Sequence, residues 1–101
     1  MRIVWSDIAK ANVKEIYRYH KEVAGVAVAK SIRDKIIGKP RLLIRQPEMG
    51  QLEENEAVAN RGFRYLVEGN YKIVYKAYVE DKQILVATVF DTRQNPTKLK
   101  V

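Results

Sequence analysis

Four cations in the second half of the chain are the side chains best suited to chemistry: Arg64, Lys72, Lys76 and Arg93. Lys72 and Lys76 are an even number of residues apart in a β-prone run, so both point to one face of a strand. We expect Arg64 to project beside them from the open face of a sheet, with Arg93 closing the group. Cations around one concavity would hold a phosphate-rich ligand or stabilise the charge that develops in phosphoryl transfer. The alternative interpretation is that they are ordinary outward residues of an exposed sheet face.

The tyrosines and the single histidine allow both a functional and a structural interpretation. Tyr65, Tyr71, Tyr75 and Tyr78 fall on predicted strands, where a tyrosine can stack a base or transfer a proton. Tyrosine also favours half-buried strands for its packing alone, which makes the structural role the better prediction for each one. His20 lies on the apolar stripe of the first predicted helix. We therefore predict a histidine in the core or at its rim rather than a catalytic base.

The composition is that of a single basic domain spanning residues 1–101. Apolar residues make up 47% of the chain and charged residues 31%, which is typical of a globular fold. The net charge of +7 favours an anionic partner, namely nucleic acid, a nucleoprotein or an acidic protein segment. The chain has no cysteine and only one histidine, and we predict neither a metal site nor a cofactor. The sequence contains no nucleophile triad, P-loop or dinucleotide fingerprint.

The apolar pattern gives no sign of membrane insertion or export. No apolar run approaches the roughly 20 residues that cross a bilayer. The first residues, MRIVWSDIAK, lack the apolar segment and cleavage site of a signal peptide. We therefore expect a cytoplasmic protein with no membrane partner.

Two helices are predicted in the first half of the chain. Ser6 is a suitable N-cap for a helix over residues 7–22, whose apolar residues recur at helical spacing. A second helix is predicted to begin near Val26. Residues 38–40, Gly-Lys-Pro, should break it, because proline removes a backbone donor and clashes with the preceding turn. Helical character is expected to resume over residues 41–45.

The second half of the chain predicts a sheet. A short β-prone run at residues 3–5 is expected to join three later strands, at residues 61–67, 70–79 and 83–90. Short turns between the later strands predict an antiparallel meander. The predicted fold is therefore α+β, with two N-terminal helices packed on one face of a small, mainly antiparallel four-stranded sheet. Between the halves, an acidic segment is predicted to be a solvated loop; its acids are Glu48, Glu53, Glu54 and Glu56.

Several segments in this order resemble the RelE/ParE family of toxins from type II toxin–antitoxin modules. They are IVWSDIAKANVKEIYRYH, LLIRQPEMG, GFRYLVEGNYKIVYKAY and VFDTRQNPTKL, which together cover nearly the whole chain. The resemblance implies a small sheet with two N-terminal helices on one face. It also implies a cognate antitoxin that wraps the toxin, with contact to operon DNA only through that antitoxin. Within the family, RelE-like members cleave messenger RNA on the ribosome, whereas ParE-like members poison DNA gyrase.

Position by position, the resemblance places Arg64, Lys72 and Arg93 where RelE-like nucleases keep basic residues. Leu66 stands where a second strand lysine is expected, and Leu99 stands where a C-terminal tyrosine or histidine often transfers a proton. Losing those groups weakens in-line attack by a 2′-hydroxyl, which needs a positioned base and acid. The departures favour a ParE-like toxin that acts by binding over a ribonuclease.

The site residues follow from these alternatives. For a nuclease, the catalytic residues would be Arg64, Lys72 and Arg93. For a protein that binds a target or an antitoxin, the predicted contacts are Arg64, Lys72, Lys76, Arg93 and Asn95. The ending Arg93, Asn95 and Pro96 is compatible with a ParE-type terminus. A non-toxic basic binding module of the same fold is the third hypothesis.

Overall fold

The computed structural model of the protein describes residues 1–54 and 61–94, which form one sheet with helices on one face. The elements in chain order are β1 (Arg2–Trp5), α1 (Asp7–Ala24), α2 (Val26–Gly38), a 3₁₀ helix (Lys39–Ile44), β2 (Gln51–Leu52), β3 (Arg64–Glu68), β4 (Tyr71–Tyr78) and β5 (Gln83–Asp91). The sheet order is β1-β5-β4-β3-β2. β1 runs parallel to β5, and the other neighbours are antiparallel. The predicted fold class is confirmed, with five strands rather than four.

The first helix begins where the sequence predicts. The hydroxyl of Ser6 accepts a hydrogen bond of 3.0 Å from the amide of Ala9, which satisfies one of the free donors of the first turn. Gly25, with φ of 94°, separates α1 from α2 in a conformation that favours glycine. The side chain of Val23, in the last turn of α1, is exposed. Neither described α-helix is long and apolar enough to cross a membrane.

The predicted break after α2 is confirmed, and the chain continues as a 3₁₀ helix. Pro40 stands near its start, where the missing backbone donor costs little. Three residues per turn align Pro40 with Leu43, and both are buried. The intervening and following residues are therefore directed outward.

The strand β2 is the element that the sequence analysis missed. Its two residues pair with β3, Gln51 with Tyr65 and Leu52 with Arg64. Glu53 follows directly, is only 7% exposed, and donates its backbone amide to the carbonyl of Phe63. The prediction of a solvated acidic loop is therefore wrong at Glu53. The pairing of β2 with the edge of β3 places the Glu53 side chain against the sheet, where it is buried. Glu56 lies outside the described residues.

A buried tyrosine fixes the chain between the 3₁₀ helix and the sheet. The side chain of Tyr75 is fully buried in the main core, between the sheet and the helices. Its hydroxyl donates to the carbonyl of Pro47 at 2.8 Å and accepts from the amide of Gly50 at 2.9 Å. Both hydrogen-bonding functions of this buried phenol are thus satisfied by one loop.

We predict that Gly50→Ala destabilises the fold through this contact. A Cβ at Gly50 would lie 2.7 Å from the Tyr65 carbonyl oxygen and 2.7 Å from the Tyr75 ring. We expect a loss of roughly 1–3 kcal/mol in the free energy of unfolding, as for other overpacked sites. Urea denaturation measures it. The control is Gly38→Ala, where a Cβ meets nothing within 4 Å and helix propensity should add roughly 0.5–1 kcal/mol. Equal effects at the two glycines would contradict the prediction.

Candidate functional site

The four predicted cations do not share one concavity. Arg64 pairs with Tyr75, and Val67 pairs with Lys72. Directly paired residues point to the same side of a sheet, so Arg64 lies on the helix side with Tyr75. Lys72 and Lys76 lie on the opposite side. The expectation that Arg64 joins the lysines is wrong, because alternation within each strand does not reveal which residues are paired.

Arg64 holds a loop in place. Its Nη1 donates to the carbonyl of Gly50 at 2.8 Å and to that of Glu48 at 3.3 Å. These are the carbonyls of the segment that Tyr75 also holds. The contacts explain the position of Arg64 by structure alone, so its role as a catalytic or binding residue stays a prediction.

Lys72 and Lys76 share the other face but have different surroundings. The ammonium of Lys72 lies 3.2 Å from Oε2 of the buried Glu53 and 4.3 Å from the centre of the Tyr65 ring. Lys76 lies over the rings of Phe63 and Tyr78, at 5.6 and 5.4 Å. No carboxylate among the described residues is paired with Lys76. Of the two, Lys76 is therefore the more available to an anionic partner.

Arg93 lies at the other end of the sheet from Arg64. Its Nε and Nη2 donate to the two oxygens of Asp91, at 3.0 and 2.8 Å. Asp91 pairs with Tyr71, four residues along β4 from the Tyr75 that pairs with Arg64. That spacing corresponds to roughly 13 Å along a strand. Asn95 lies outside the described residues.

A cavity of about 580 Å³ opens beside Arg93, between α1 and the end of the sheet. We call it the α1–β5 cavity. Its polar lining residues are Asn12, Glu15, Tyr19, Tyr71, Thr88, Asp91, Arg93 and Gln94, with apolar walls from Ile8, Ile16, Val89 and Phe90. Among the predicted site residues that the structure describes, only Arg93 lines it. It therefore places one cation beside carboxylates and phenols rather than within a cluster of cations.

Polar side chains on this side of the molecule contact one another. His20 Nε2 lies 2.8 Å from the Tyr71 hydroxyl, so one hydrogen bond joins the two side chains. Burial raises the pKa of Tyr71, and the charge of Asp91 raises it further. The hydrogen bonds from Arg93 hold the pKa of Asp91 below its usual value. Asp91 is thus ionised at neutral pH, while Tyr71 keeps its proton.

The chemistry open to this arrangement is anion recognition with proton exchange nearby. Two of the five guanidinium N–H groups of Arg93 bind Asp91, and a further hydrogen bond joins Arg93 to Tyr71. The N–H groups that remain can contact an external anion. The side chain of Arg93 is 56% exposed. Within residues 1–54 and 61–94, no three His, Asp or Glu side chains are grouped to hold a metal ion.

Sequence reasoning missed the cavity, but it placed His20, the hydrogen-bond partner of Tyr71, correctly. His20 lies at the rim of the core, half-buried, as its position on the apolar stripe predicts. Its partner Tyr71 is 51 residues away in the sequence, and only the docking of α1 on the sheet brings the two together. A lone histidine aligned with buried apolar positions was the available signal.

Comparison with known proteins decides the family. The sequence model described as "ParE toxin of type II toxin-antitoxin system, parDE" matches residues 3–96. The chain belongs to the ParE toxin family. A solved chain described as "Chromosomal ParDE TA system from P. aeruginosa" has the same fold, with a TM-score of 0.74. It is 18% identical, and the match covers 90% of this chain and 95% of that one. No curated protein matches the chain significantly.

Family membership gives the site a context. Members of the ParE toxin family belong to type II toxin–antitoxin systems, so an antitoxin is the partner class that this context supports. The resemblance deduced from the sequence segments is confirmed at the level of the family. The α1–β5 cavity and the two lysines are therefore candidate surfaces of a ParE-family toxin.

We predict that the stabilisation from Asp91 depends on pH. The folded-state pKa of Asp91 is depressed, so its contribution is present above the unfolded pKa of about 3.9 and is lost as pH falls through the lower folded value. Asp91→Asn should unfold at lower urea concentration than the parent at pH 7. The difference should narrow below about pH 4. Urea midpoints between pH 7 and pH 2.5 measure it.

The matched control is Asp81→Asn. Asp81 lies in the exposed turn between β4 and β5 and has no ion-pair partner among the described residues. The Asp81→Asn substitution removes the same negative charge as Asp91→Asn but does not remove a contact to Arg93. A difference between Asp91→Asn and the parent that stayed constant down to pH 2.5 would contradict the assignment.

Proposed function

We propose that this chain is a toxin that inhibits growth by binding DNA gyrase and that a cognate antitoxin neutralises it. The observation that carries the proposal is the match of the ParE toxin model to residues 3–96. The proposed site of action is the cytoplasm, where gyrase is found. In this proposal the toxin reaches operon DNA only through the antitoxin.

The distribution of cations supports action by binding rather than by catalysis. Arg64, Lys72 and Arg93 lie in three different places, and each already contacts oxygen atoms of its own chain. In-line phosphoryl transfer needs a base, an acid and a cation around one phosphate. The three cations do not meet that requirement together. A surface that recognises an acidic or nucleoprotein target does not require them to converge.

The proposed target contact is centred on Arg93. Its side chain is 56% exposed at the mouth of the α1–β5 cavity, and Asp91 fixes its orientation. A preoriented guanidinium loses less conformational entropy on binding than a free one. Asn95, two residues further along the chain, is proposed to extend this contact. Lys76, with Lys72 on the same face of β4, is proposed as a second basic contact for the target or the antitoxin.

A ribosome-dependent messenger RNA endonuclease is the second candidate, and one observation favours it. His20 and Tyr71 share a hydrogen bond of 2.8 Å, and Arg93 lies on the same cavity as Tyr71. A histidine and a tyrosine could exchange protons with a 2′-hydroxyl and a leaving 5′-oxygen beside a guanidinium. Tyr71 is only 7% exposed, however, which restricts access to its hydroxyl.

Induction in cells and assays in vitro separate the candidates. The purified chain, titrated into gyrase, should inhibit supercoiling of relaxed plasmid, and the antitoxin should restore it. Full supercoiling at excess toxin would reject gyrase as the target. Mapping 5′ ends of cellular messages after induction tests the second candidate, which codon-phased cuts would support. Unchanged growth on expression without antitoxin would favour a non-toxic binding module.

We predict that Arg93→Ala lowers toxicity while preserving the fold. Removing the guanidinium should weaken inhibition of supercoiling about tenfold, since charge-assisted hydrogen bonds to the target are lost. Lys30→Ala is the control, because it removes one positive charge from an exposed position of α2. Circular dichroism and thermal unfolding report on the fold. Equal inhibition by Arg93→Ala and the parent would contradict the role of Arg93, and gross unfolding would make that residue structural.

A further inference from the structure

The 3₁₀ helix directs two large apolar side chains into solvent. Pro40 and Leu43 occupy the buried side of this helix, so the residues between and after them point outward. Those residues include Leu42 and Ile44, which are 50% and 44% exposed. Folding alone does not require leucine and isoleucine at such positions, because polar side chains would be equally well accommodated there.

These side chains belong to a continuous surface. Leu42, Ile44 and Met49 line one concavity, and Met49 and Val79 line the next. The two concavities share Gln46 and Met49, so they form one groove. Exposed apolar clusters rimmed by polar residues are typical of protein-interaction sites. A methionine at the junction suits such a site, since its flexible side chain adapts to a partner.

Positive charge surrounds this groove. Arg41 and Arg45 line it directly, and Lys35 and Lys39 precede them along the chain. None of these four cations is ion-paired to any residue that the structure describes. Glu48 is the acidic residue that lines the groove. The groove therefore combines an apolar floor with cations that have no internal partner.

We propose that this groove is the docking site for an acidic amphipathic segment of the antitoxin. We call it the 3₁₀ groove and define it by Leu42, Ile44, Met49 and Val79, with Arg41 and Arg45 at its edge. Apolar residues of the segment, spaced at i, i+3, i+4 and i+7, occupy the floor, and its carboxylates bind the arginines. The inference rests on the proposed function only for the existence of an antitoxin, not for gyrase as the target.

Charge argues against a second copy of the chain as the occupant. A two-fold dimer would bring each groove against itself, so the two arginines of one copy would face the two of the other. Like charges opposed across an interface are unfavourable. Nucleic acid suits the floor poorly, because four exposed apolar side chains offer nothing to a phosphate backbone. An acidic amphipathic peptide matches both the floor and the edge.

The 3₁₀ groove is remote from the α1–β5 cavity. Val79 follows the last residue of β4, whereas Tyr71 is its first residue. Eight residues of extended chain separate them by roughly 26 Å. A segment bound in the groove therefore leaves Arg93 uncovered, and loss of docking should not itself impair binding to the target.

The experiment measures binding of purified antitoxin, first co-expressed with this chain and then separated from it. Leu42→Asp/Met49→Asp is compared with Leu42→Lys/Met49→Lys by isothermal titration calorimetry. Both double variants remove the same apolar contacts. Leu42 and Met49 are about half exposed, so we expect the two variants to lose similar amounts of free energy of unfolding. The aspartates should weaken binding about a hundredfold, and clearly more than the lysines, since only they repel an acidic segment. Hydrogen exchange should show slowed amides within residues 41–49 of the parent in the complex.

The control is Val26→Asp/Val28→Asp. These valines are 44% and 43% exposed, and acidic residues in the first turn of α2 are compatible with the helix dipole. Antitoxin affinity should stay within about threefold of the parent. Arg41→Gln/Arg45→Gln should reduce the dependence of affinity on salt.

Several results would overturn the inference. They are unchanged affinity with the aspartate pair, equal losses with both pairs, or slowed exchange confined to residues outside 41–49. Self-association of the parent in sedimentation, abolished by the aspartate pair while antitoxin affinity persists, would make a second copy the occupant. If the aspartate pair loses antitoxin binding while the parent chain does not inhibit gyrase, the groove is supported as the docking site. Only gyrase as the target is then rejected.

Discussion

The register between β3 and β4 is the constraint on which the arrangement of charged groups depends. A turn at Gly69 and Asn70, in which Gly69 has φ of 60°, pairs Glu68 with Tyr71. Every later pair follows from this one, since a shift of one residue would exchange the two faces of β3. Arg64 is thereby directed to the loop that Tyr75 holds. The lysines of β4 are directed to the face that Glu53 covers.

A second constraint positions α1 against β5. In the pairing with β4, Val74 is opposite Thr88 and Tyr75 is opposite Val86, so Ala87 has no paired residue. Polar side chains of α1 and its cap bind the groups around this bulge. Ser6 donates to the Ala87 carbonyl, and Asn12 Oδ1 accepts from the Val89 amide and the Thr88 hydroxyl. The bulge therefore fixes α1 over β5, which creates the cavity beside Arg93.

Local patterns made most of the fold predictable, whereas the site depends on pairing across the chain. The Ser6 cap, the break at Pro40 and the three later strands each have a signal within a few residues. The pair Gln51–Leu52 is too short for periodicity, and its strand forms only because β3 offers a free edge. The contacts Lys72–Glu53 and His20–Tyr71 join residues 19 and 51 positions apart. Neither spacing carries a local signal, so the sequence identified single residues but not their neighbours.

The structure also separates two kinds of basic residue that the net charge alone combines. Arg64, Lys72 and Arg93 contact oxygens of their own chain, and these contacts fix the direction of each side chain. Arg41 and Arg45 lie beside exposed apolar residues, and no described carboxylate is paired with them. A fixed cation favours a ligand of defined geometry, because its orientation is already determined. A solvated cation beside an apolar floor favours an adaptable acidic peptide, because desolvation and pairing occur together on binding. The two proposed contacts, with a target at one end of β4 and with an antitoxin at the other, therefore draw on two different kinds of basic residue.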